Sequence, residues 1–422
     1  MPSFEDKLKE YARLLVAVGT NLQKGQTLLL TSQVEQAPFA RLCAQAAYER
    51  GAREVVLRWN DDAMTRMKYL YAQEDVFDET PAWVVHQCTD YAREGAATLN
   101  LVASNPENLK GVDPDRILRS ARSQGQALRE YRELSMASAF PWCIGALASP
   151  AWAKVVFPEL PEKEAVEALW EKIFLAVRVK GDGTAVEAWE AHAQKLQLRT
   201  EKLNAYRFDR LHYYNSLGTD YTVGLLKGHI WCAGGEYTPK GQFFMPNMPT
   251  EEIFTAPDAN RGEGILCAAL PLCKDGNVIR DIRFEIHQGR ITKATASTGE
   301  EVLQKAIDVD EGARRFGEVA LVPYDSPISN SKTLFYNTLF DENAACHFAF
   351  GEAYPTCAEG AENWDEETCR KNGLNRSMTH VDFMVGTADL SIDGIQAVGT
   401  VITVFRNGHF TFYQEKKKEA PA

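Results

Sequence analysis

Thr27-Leu28-Leu29-Leu30-Thr31 is the first of two short apolar runs that decide how the N-terminal half of the chain folds. A helical stretch from Ala37 to Gly51 follows it, and the second run is Glu54-Val55-Val56-Leu57-Arg58-Trp59. Strand, helix and strand in this order predict a parallel βαβ unit, because parallel neighbours need a long crossover. Strand-like runs at Ala97–Val102 and Trp142–Leu147 continue the pattern. The first half therefore predicts an α/β domain with an open, mostly parallel sheet.

The second half has a different pattern. Short alternating or β-branched runs dominate it, at Arg210–Tyr214, Asp220–Leu225, Gly264–Leu270, Val278–His287, Arg290–Ala294 and Gly399–Arg406. Such runs are typical of strands. The change comes after the polar, glycine-containing stretch Val179–Thr184, and a single long charged helix is predicted before it, from Pro114 to Ser135. We expect residues 1–183 to form the α/β domain and residues 184–422 a β-rich α+β domain.

Composition excludes some function classes. The 422 residues contain 58 Asp and Glu against 46 Lys and Arg, a net charge of -12, which disfavours a nucleic-acid partner because phosphate binding needs a basic face. Neither a signal peptide nor an uncharged apolar run of about 20 residues is visible, so no membrane partner is expected. The nine cysteines form no CxxC pair, which favours reduced thiols and a cytoplasmic location.

Four segments of the second half contain possible metal ligands. They are Asn247–Pro257 with Glu251 and Glu252, Arg315–Pro323 with Glu318, Asn343–Pro355 with His347 and Tyr354, and Thr379–Met384 with His380 and Asp382. A Glu inside an apolar run is costly to bury without a cation. Residues two apart in a strand share a face, so His380 and Asp382 would project together. Carboxylates with imidazoles suit zinc, cobalt or manganese, and a carboxylate shared by two ions is common in hydrolytic sites.

Each of these residues also has an ordinary structural explanation. Glu318 could form a salt bridge, and His347 could be a hydrogen-bonded core histidine. His380 and Asp382 could hydrogen-bond each other, and Tyr354 could be a packing residue. Glu251 and Glu252 could form the first turn of a helix, where acidic side chains interact favourably with the helix dipole. Single residues therefore do not decide between a metal site and a structural role.

Together, the four segments resemble the thermophilic metalloaminopeptidase family of aminopeptidases T and S. The family's Gly-Glu-Val-Ala-Leu-Val-Pro segment is similar to Gly317–Pro323, and its His-x-Asp-Phe-Met segment is similar to His380–Met384. Its His, Gly and Tyr segment resembles His347–Tyr354, and its first acidic segment resembles Asn247–Pro257. The resemblance extends over nearly the whole chain, which makes it far more specific than any single segment.

The resemblance implies a set of site residues. The implied metal ligands are Glu252, Glu318, His347, His380 and Asp382, with Glu318 bridging two divalent ions (zinc, cobalt or manganese) and Tyr354 as the catalytic acid or oxyanion donor. Many family members have Gly before the first ligand, whereas this chain has Glu251, so either glutamate could bind. Glu252 is preferred because it precedes Ile253-Phe254-Thr255. A homodimer is also implied, with the N-terminal domain helping to enclose the site.

The expected function is that of a metal-dependent aminopeptidase that acts on peptides with a free N-terminus. A water activated by two metal ions would attack the first peptide carbonyl, and Glu252 or Glu318 would pass the proton to the leaving amine. One alternative is another dinuclear metallohydrolase with a non-peptide substrate, although no Arg or Lys cluster flanks the ligands to hold a phosphate. The other is a non-enzymatic binding protein, which the missing glycine-rich nucleotide fingerprint disfavours.

Overall fold

The structure, a computed structural model, describes residues 2–274 and 277–412. A parallel sheet surrounded by helices forms the N-terminal part. The strands that this part supplies are β1 (Thr27–Gln33), β2 (Glu54–Asn60), β3 (Ala97–Val102) and β4 (Trp142–Ala146). The helices are α1 (Phe4–Leu14, continued by a π-helical turn over Leu15–Gly19), α2 (Ala37–Glu49), α3 (Asp62–Tyr71), α4 (Ala82–Glu94), α5 (Pro114–Ala127), α6 (Arg129–Met136), α7 (Pro150–Val156), α8 (Glu162–Ala176) and α9 (Ala185–Tyr206).

The strands predicted for this half are confirmed, and all of their pairings are parallel. The single helix predicted from Pro114 to Ser135 is wrong. The helix ends at Ala127, and a second one starts at Arg129, because Leu128 has a ψ of 18° that departs from helical geometry. The helical spacing of charged residues continues through Leu128, so the sequence pattern does not reveal the break.

The rest of the chain is rich in antiparallel strands. These are β5 (Phe208–Tyr214), β6 (Asp220–Leu225), β7 (Cys232–Ala233), β8 (Glu236–Tyr237), β9 (Phe243–Phe244), β10 (Asn247–Met248), β11 (Ile253–Thr255), β12 (Pro257–Cys267), β13 (Leu272–Lys274), β14 (Asn277–Ile279), β15 (Arg283–His287), β16 (Arg290–Thr295), β17 (Phe316–Leu321), β18 (His347–Gly351), β19 (His380–Met384), β20 (Ser391–Gln396), β21 (Val401–Arg406) and β22 (His409–Phe410). The helices are α10 (Glu300–Ile307), α11 (Pro327–Asn330), α12 (Thr338–Asp341) and α13 (Glu366–Asn372).

Two larger sheets use most of these strands. One has the order β16-β15-β12-β6-β5-β20-β21-β22, and the other β19-β18-β17-β11-β7. The strand predicted over Val278–His287 is divided into β14 and β15, because Asp281 between them has a φ of 53°, in the left-handed region that interrupts a strand. The predicted strand Gly264–Leu270 belongs to β12, which starts earlier, at Pro257, and ends at Cys267.

β10 leaves the antiparallel part and joins the parallel sheet. It pairs with β4, with Asn247 opposite Ile144, and gives that sheet the order β10-β4-β3-β1-β2. Met248 accordingly packs in the N-terminal core, together with Phe335 and Phe340 from later in the chain. The predicted domain boundary between residues 183 and 184 stays a prediction. Residues after this boundary form the second hydrophobic core and also contribute to the N-terminal core.

A second core lies between the two antiparallel sheets. Phe316, Phe348 and Phe383 point into it from β17, β18 and β19, and Phe284 of β15 meets Phe383 with ring centroids 4.9 Å apart. Side chains alternate along β18 and β19, and a register shift between Phe316 and Glu318 lets Glu318 of β17 face away from this core. The opposite face of the three strands is therefore available for polar residues. No helix in the described ranges is long and apolar enough to cross a lipid bilayer.

Candidate metal centre

The register of β17, β18 and β19 brings four of the five predicted ligands to one face of the sheet, and Glu252 lies just before β11. Glu318 of β17 lies opposite Ala349 of β18, and Ala349 lies opposite Asp382 of β19. His380 shares a face with Asp382, as predicted from their spacing, and His347 shares a face with Ala349. The small side chain of Ala349 leaves space between the two carboxylates, so the imidazoles and carboxylates of neighbouring strands meet above the sheet.

Glu318 lies between the two histidines. Its Oε1 is 3.4 Å from Nε2 of His347, and its Oε2 is 3.6 Å from Nε2 of His380. Glu252 Oε2 lies 3.1 Å from the first imidazole, and Asp382 Oδ1 lies 3.3 Å from the second. Two groups of potential ligands result, Glu252–Glu318–His347 and Glu318–His380–Asp382, and the ligand atoms of each lie within 4.8 Å of one another. Glu318 belongs to both.

Backbone carbonyls orient both imidazoles. Nδ1 of His347 lies 3.1 Å from the carbonyl oxygen of Ala345, and Nδ1 of His380 lies 2.8 Å from that of Glu352. A carbonyl only accepts, so each Nδ1 carries the proton and donates it. Each Nε2 then faces the carboxylates and is the nitrogen that would bind a metal ion after releasing its own proton.

The site concentrates negative charge away from water. Burial, reinforced by the carboxylates of Asp382 and Glu252, raises the pKa of Glu318. Burial opposes protonation of His347, but hydrogen bonds to Glu252 and Glu318 outweigh it and raise the pKa of that imidazole. Three carboxylates this close repel one another unless a cation stands between them. The oxygen and nitrogen donors therefore fit divalent metal ions.

A cavity of about 110 Å³ opens beside these ligands. It is much larger than the roughly 15 Å³ needed for one water molecule. Tyr354 lines it, with its ring centroid 5.4 Å from that of His380 and 5.8 Å from that of Phe254. Burial and the carboxylates of Glu318 and Asp382 raise the pKa of the phenol, so Tyr354 faces the cavity as a hydrogen-bond donor.

The two adjacent glutamates point to different partners. Glu251 Oε1 accepts a hydrogen bond from Arg178 at 2.7 Å, and the Glu251 backbone N–H donates to Asn343 Oδ1 at 2.7 Å. Glu252 faces His347 instead. The structure thus places Glu252 among the predicted ligands and Glu251 in a buried ion pair outside them.

His192 of α9 completes this ion-paired cluster. Its Nδ1 accepts from Arg178 at 3.2 Å and its Nε2 donates to the Thr250 carbonyl at 2.8 Å. Burial lowers its pKa to about 4, although Glu251 opposes the shift. The neutral ring thus holds the segment that precedes Glu252.

We expect His192 to make the fold sensitive to acid. The unfolded chain binds a proton at this residue below about pH 6.5, whereas the native chain does so only near pH 4. The contribution of His192 to the free energy of unfolding is therefore unchanged above pH 6.5. It falls by up to about 3 kcal/mol as the pH drops towards 4. Urea unfolding of chelator-treated protein at pH 7.5 and pH 5 measures this loss. His192→Gln, which can still donate and accept, should lose less; an equal loss in both proteins would contradict the assignment.

Sequence reasoning missed four residues around the site. Arg178 and His192 were passed over because nothing in their surroundings along the chain links them to Glu251. Glu342 and Glu236 also line the cavity. Burial, together with Asp382 and Glu252, raises the pKa of Glu342. The sequence signal for Glu342 is its position directly before the segment Asn343–Pro355, which contains His347 and Tyr354.

Comparison with known proteins agrees with this geometry. A family model described as thermophilic metalloprotease (M29) matches residues 4–410. Aminopeptidase AmpS of Bacillus subtilis (strain 168) is 43% identical over 412 residues, which cover 98% of this chain and 100% of that protein. Aminopeptidase T of Thermus aquaticus is 41% identical over 410 residues, 97% of this chain and 100% of that protein.

A solved structure supports the same relationship. Wild-type AmpT from Thermus thermophilus superposes with a TM-score of 0.91 at 40% identity, covering 97% of this chain and 100% of that one. Sequence and fold therefore agree over almost the whole length, and the chain belongs to the thermophilic metalloprotease family, M29.

Proposed function

We propose that this chain removes N-terminal amino acids from peptides with the help of two divalent metal ions bound by the cluster around Glu318. The chain is an aminopeptidase of the M29 metallopeptidase family, and hence a hydrolytic exopeptidase. The observation that carries the two-metal assignment is the position of Glu318, which presents one carboxylate oxygen to each histidine.

The ligands divide into two sets. Glu252 and His347 would hold one ion, His380 and Asp382 would hold the other, and Glu318 would bridge them. Two such ions supply Lewis acidity to the scissile carbonyl and activate the water that attacks it. The family supports metal dependence, and the donor types accept zinc, cobalt or manganese.

The chain's own groups would handle the charge and the proton. Tyr354 keeps its phenolic proton and can donate a hydrogen bond to the oxygen that becomes negative during the attack. Glu252, whose Oε2 lies 3.1 Å from His347, would take a proton from the attacking water and deliver it to the leaving amine. Glu318 is the second carboxylate able to do so. We further propose that the chain forms a homodimer and acts in the cytoplasm.

Chelation tests the proposal. The purified protein should hydrolyse leucyl-p-nitroanilide, and removal of the metal should lower the rate by at least about 100-fold. Zinc, cobalt or manganese added back should restore the rate, with two ions per chain by elemental analysis. Full activity in metal-free protein, or a single bound ion in the active enzyme, would contradict the proposal.

A further inference from the structure

Two carboxylates in the cavity, those of Glu236 and Glu342, belong to neither ligand group, and the first has an unusual setting. Glu236, at the start of β8, lines the same space as Glu318, His380 and Tyr354. Its carboxylate accepts a hydrogen bond from the Ser138 hydroxyl. Over the described ranges, no Lys, Arg or His lies within salt-bridge distance of it. Burial raises its pKa, and the hydrogen bond from Ser138 opposes that shift. This cavity therefore holds a desolvated acid whose charge no protein cation compensates.

The backbone holds this carboxylate in place from two directions. A Cβ on Gly235 would lie 2.2 Å from the ring of Phe243, so a larger residue just before β8 would require that ring to move. Glu236 then pairs with Phe244 of β9. Ser138 reaches it from the other side, from the connection between α6 and β4. The position of the acid is thus built by parts of the chain that are distant in sequence.

The contrast with Glu251 shows what is unusual about this acid. Glu251 is neutralised by Arg178, at 2.7 Å. Glu236 has a neutral hydroxyl as its partner, which orients the carboxylate and leaves its charge available. A partly buried carboxylate without a counter-ion costs free energy that an incoming cation would recover.

The charge balance of the cavity points the same way. The lining residues include five carboxylates, those of Glu236, Glu252, Glu318, Glu342 and Asp382, and no Lys or Arg. A cavity lined by acids and by no Lys or Arg suits cationic groups, and the α-ammonium group is the cation that every substrate of an aminopeptidase brings.

We propose that Glu236 binds the protonated α-amino group of the peptide, and that Ser138 is a positioning residue for its carboxylate. This inference rests on the proposed function, because it supposes that the reacting peptide bond lies over the metal ligands. A carboxylate beside them then anchors the free N-terminus, so that the first peptide bond, and not a later one, reaches the reacting position. The contact selects substrates that have an unblocked N-terminus.

A pair of ligands that differ only in the amino group tests the proposal without any turnover. Leucine hydroxamate and the same hydroxamate without its amino group both offer the metals one chelating group. Calorimetry on the metal-loaded, full-length enzyme should show the wild type binding the amino compound at least about tenfold more tightly. Glu236→Gln keeps the shape and the Ser138 contact but should abolish the preference. Ser138→Ala should weaken it by about threefold.

Turnover separates recognition of the amine from recognition of a basic side chain. Glu236→Gln should raise KM about tenfold or more for both leucyl- and arginyl-p-nitroanilide, with a small change in kcat, because the contact is made in the ground state too. Glu285→Gln is the matched control, an exposed strand glutamate paired with Lys293 on the neighbouring strand. It should change neither constant.

The outcomes are distinguishable. An amine preference unchanged in Glu236→Gln would mean that the metals alone recognise the amine, and would overturn the inference. A KM effect confined to the arginyl substrate would also overturn it. If the wild type hydrolyses neither anilide but prefers the amino hydroxamate through Glu236, the proposed function fails and the ammonium site stands.

Discussion

Glu318→Gln should lower kcat by about 1,000-fold, the equivalent of about 4 kcal/mol of transition-state stabilisation. The reason is geometric, since this is the one carboxylate among residues 2–274 and 277–412 that presents an oxygen to both histidines, at 3.4 and 3.6 Å. An amide keeps the shape but has one oxygen and no charge, so it cannot bridge two cations. Elemental analysis should show the loss of at least one of the two ions.

Stability measurements separate this effect from misfolding. In metal-free protein the variant should unfold at the same temperature as the wild type or slightly higher, because an amide removes repulsion among three buried carboxylates. Added metal should stabilise the wild type more than the variant, since only binding to the native state raises its stability. Glu285→Gln should match the wild type throughout. A variant that kept two ions and full kcat would exclude Glu318 as the bridge.

The adjacent pair Glu251 and Glu252 should give opposite results from one and the same substitution. Glu251→Gln leaves Arg178, whose side chain is 19% exposed, without its carboxylate partner. It should destabilise the native state by about 3 kcal/mol, because a buried charge loses its counter-ion, while metal content stays at the wild-type level. Glu252→Gln should leave metal-free stability intact but lower kcat by about 100-fold or more and weaken metal binding.

Urea unfolding and elemental analysis of both variants decide the assignment. The two substitutions are chemically identical and one residue apart, so each serves as the control for the other. The reverse pattern, with metal lost in Glu251→Gln and stability lost in Glu252→Gln, would mean that the first glutamate is the ligand and would contradict the geometry described here.

Local patterns determined much of the secondary structure and the candidate residues. The strands at residues 54–60 and 97–102 were recognisable because apolar runs between turn signals reflect only neighbouring residues. The shared face of His380 and Asp382 followed from the two-residue repeat of a strand. The family resemblance implied the roles of the candidates, since it depends on short segments in a fixed order.

Only the tertiary structure decided how these pieces meet. Glu252 faces His347 while Glu251 pairs with Arg178. This arrangement depends on α9 and on the pairing of β10 with the parallel sheet, and the sequence around residue 251 indicates neither contact. The same holds for Glu236, whose place in the cavity depends on β8, β9 and Ser138. Periodicity along a chain reports which face a side chain takes. Strand register and packing between distant segments set what that face meets, because these contacts join residues that share no local pattern.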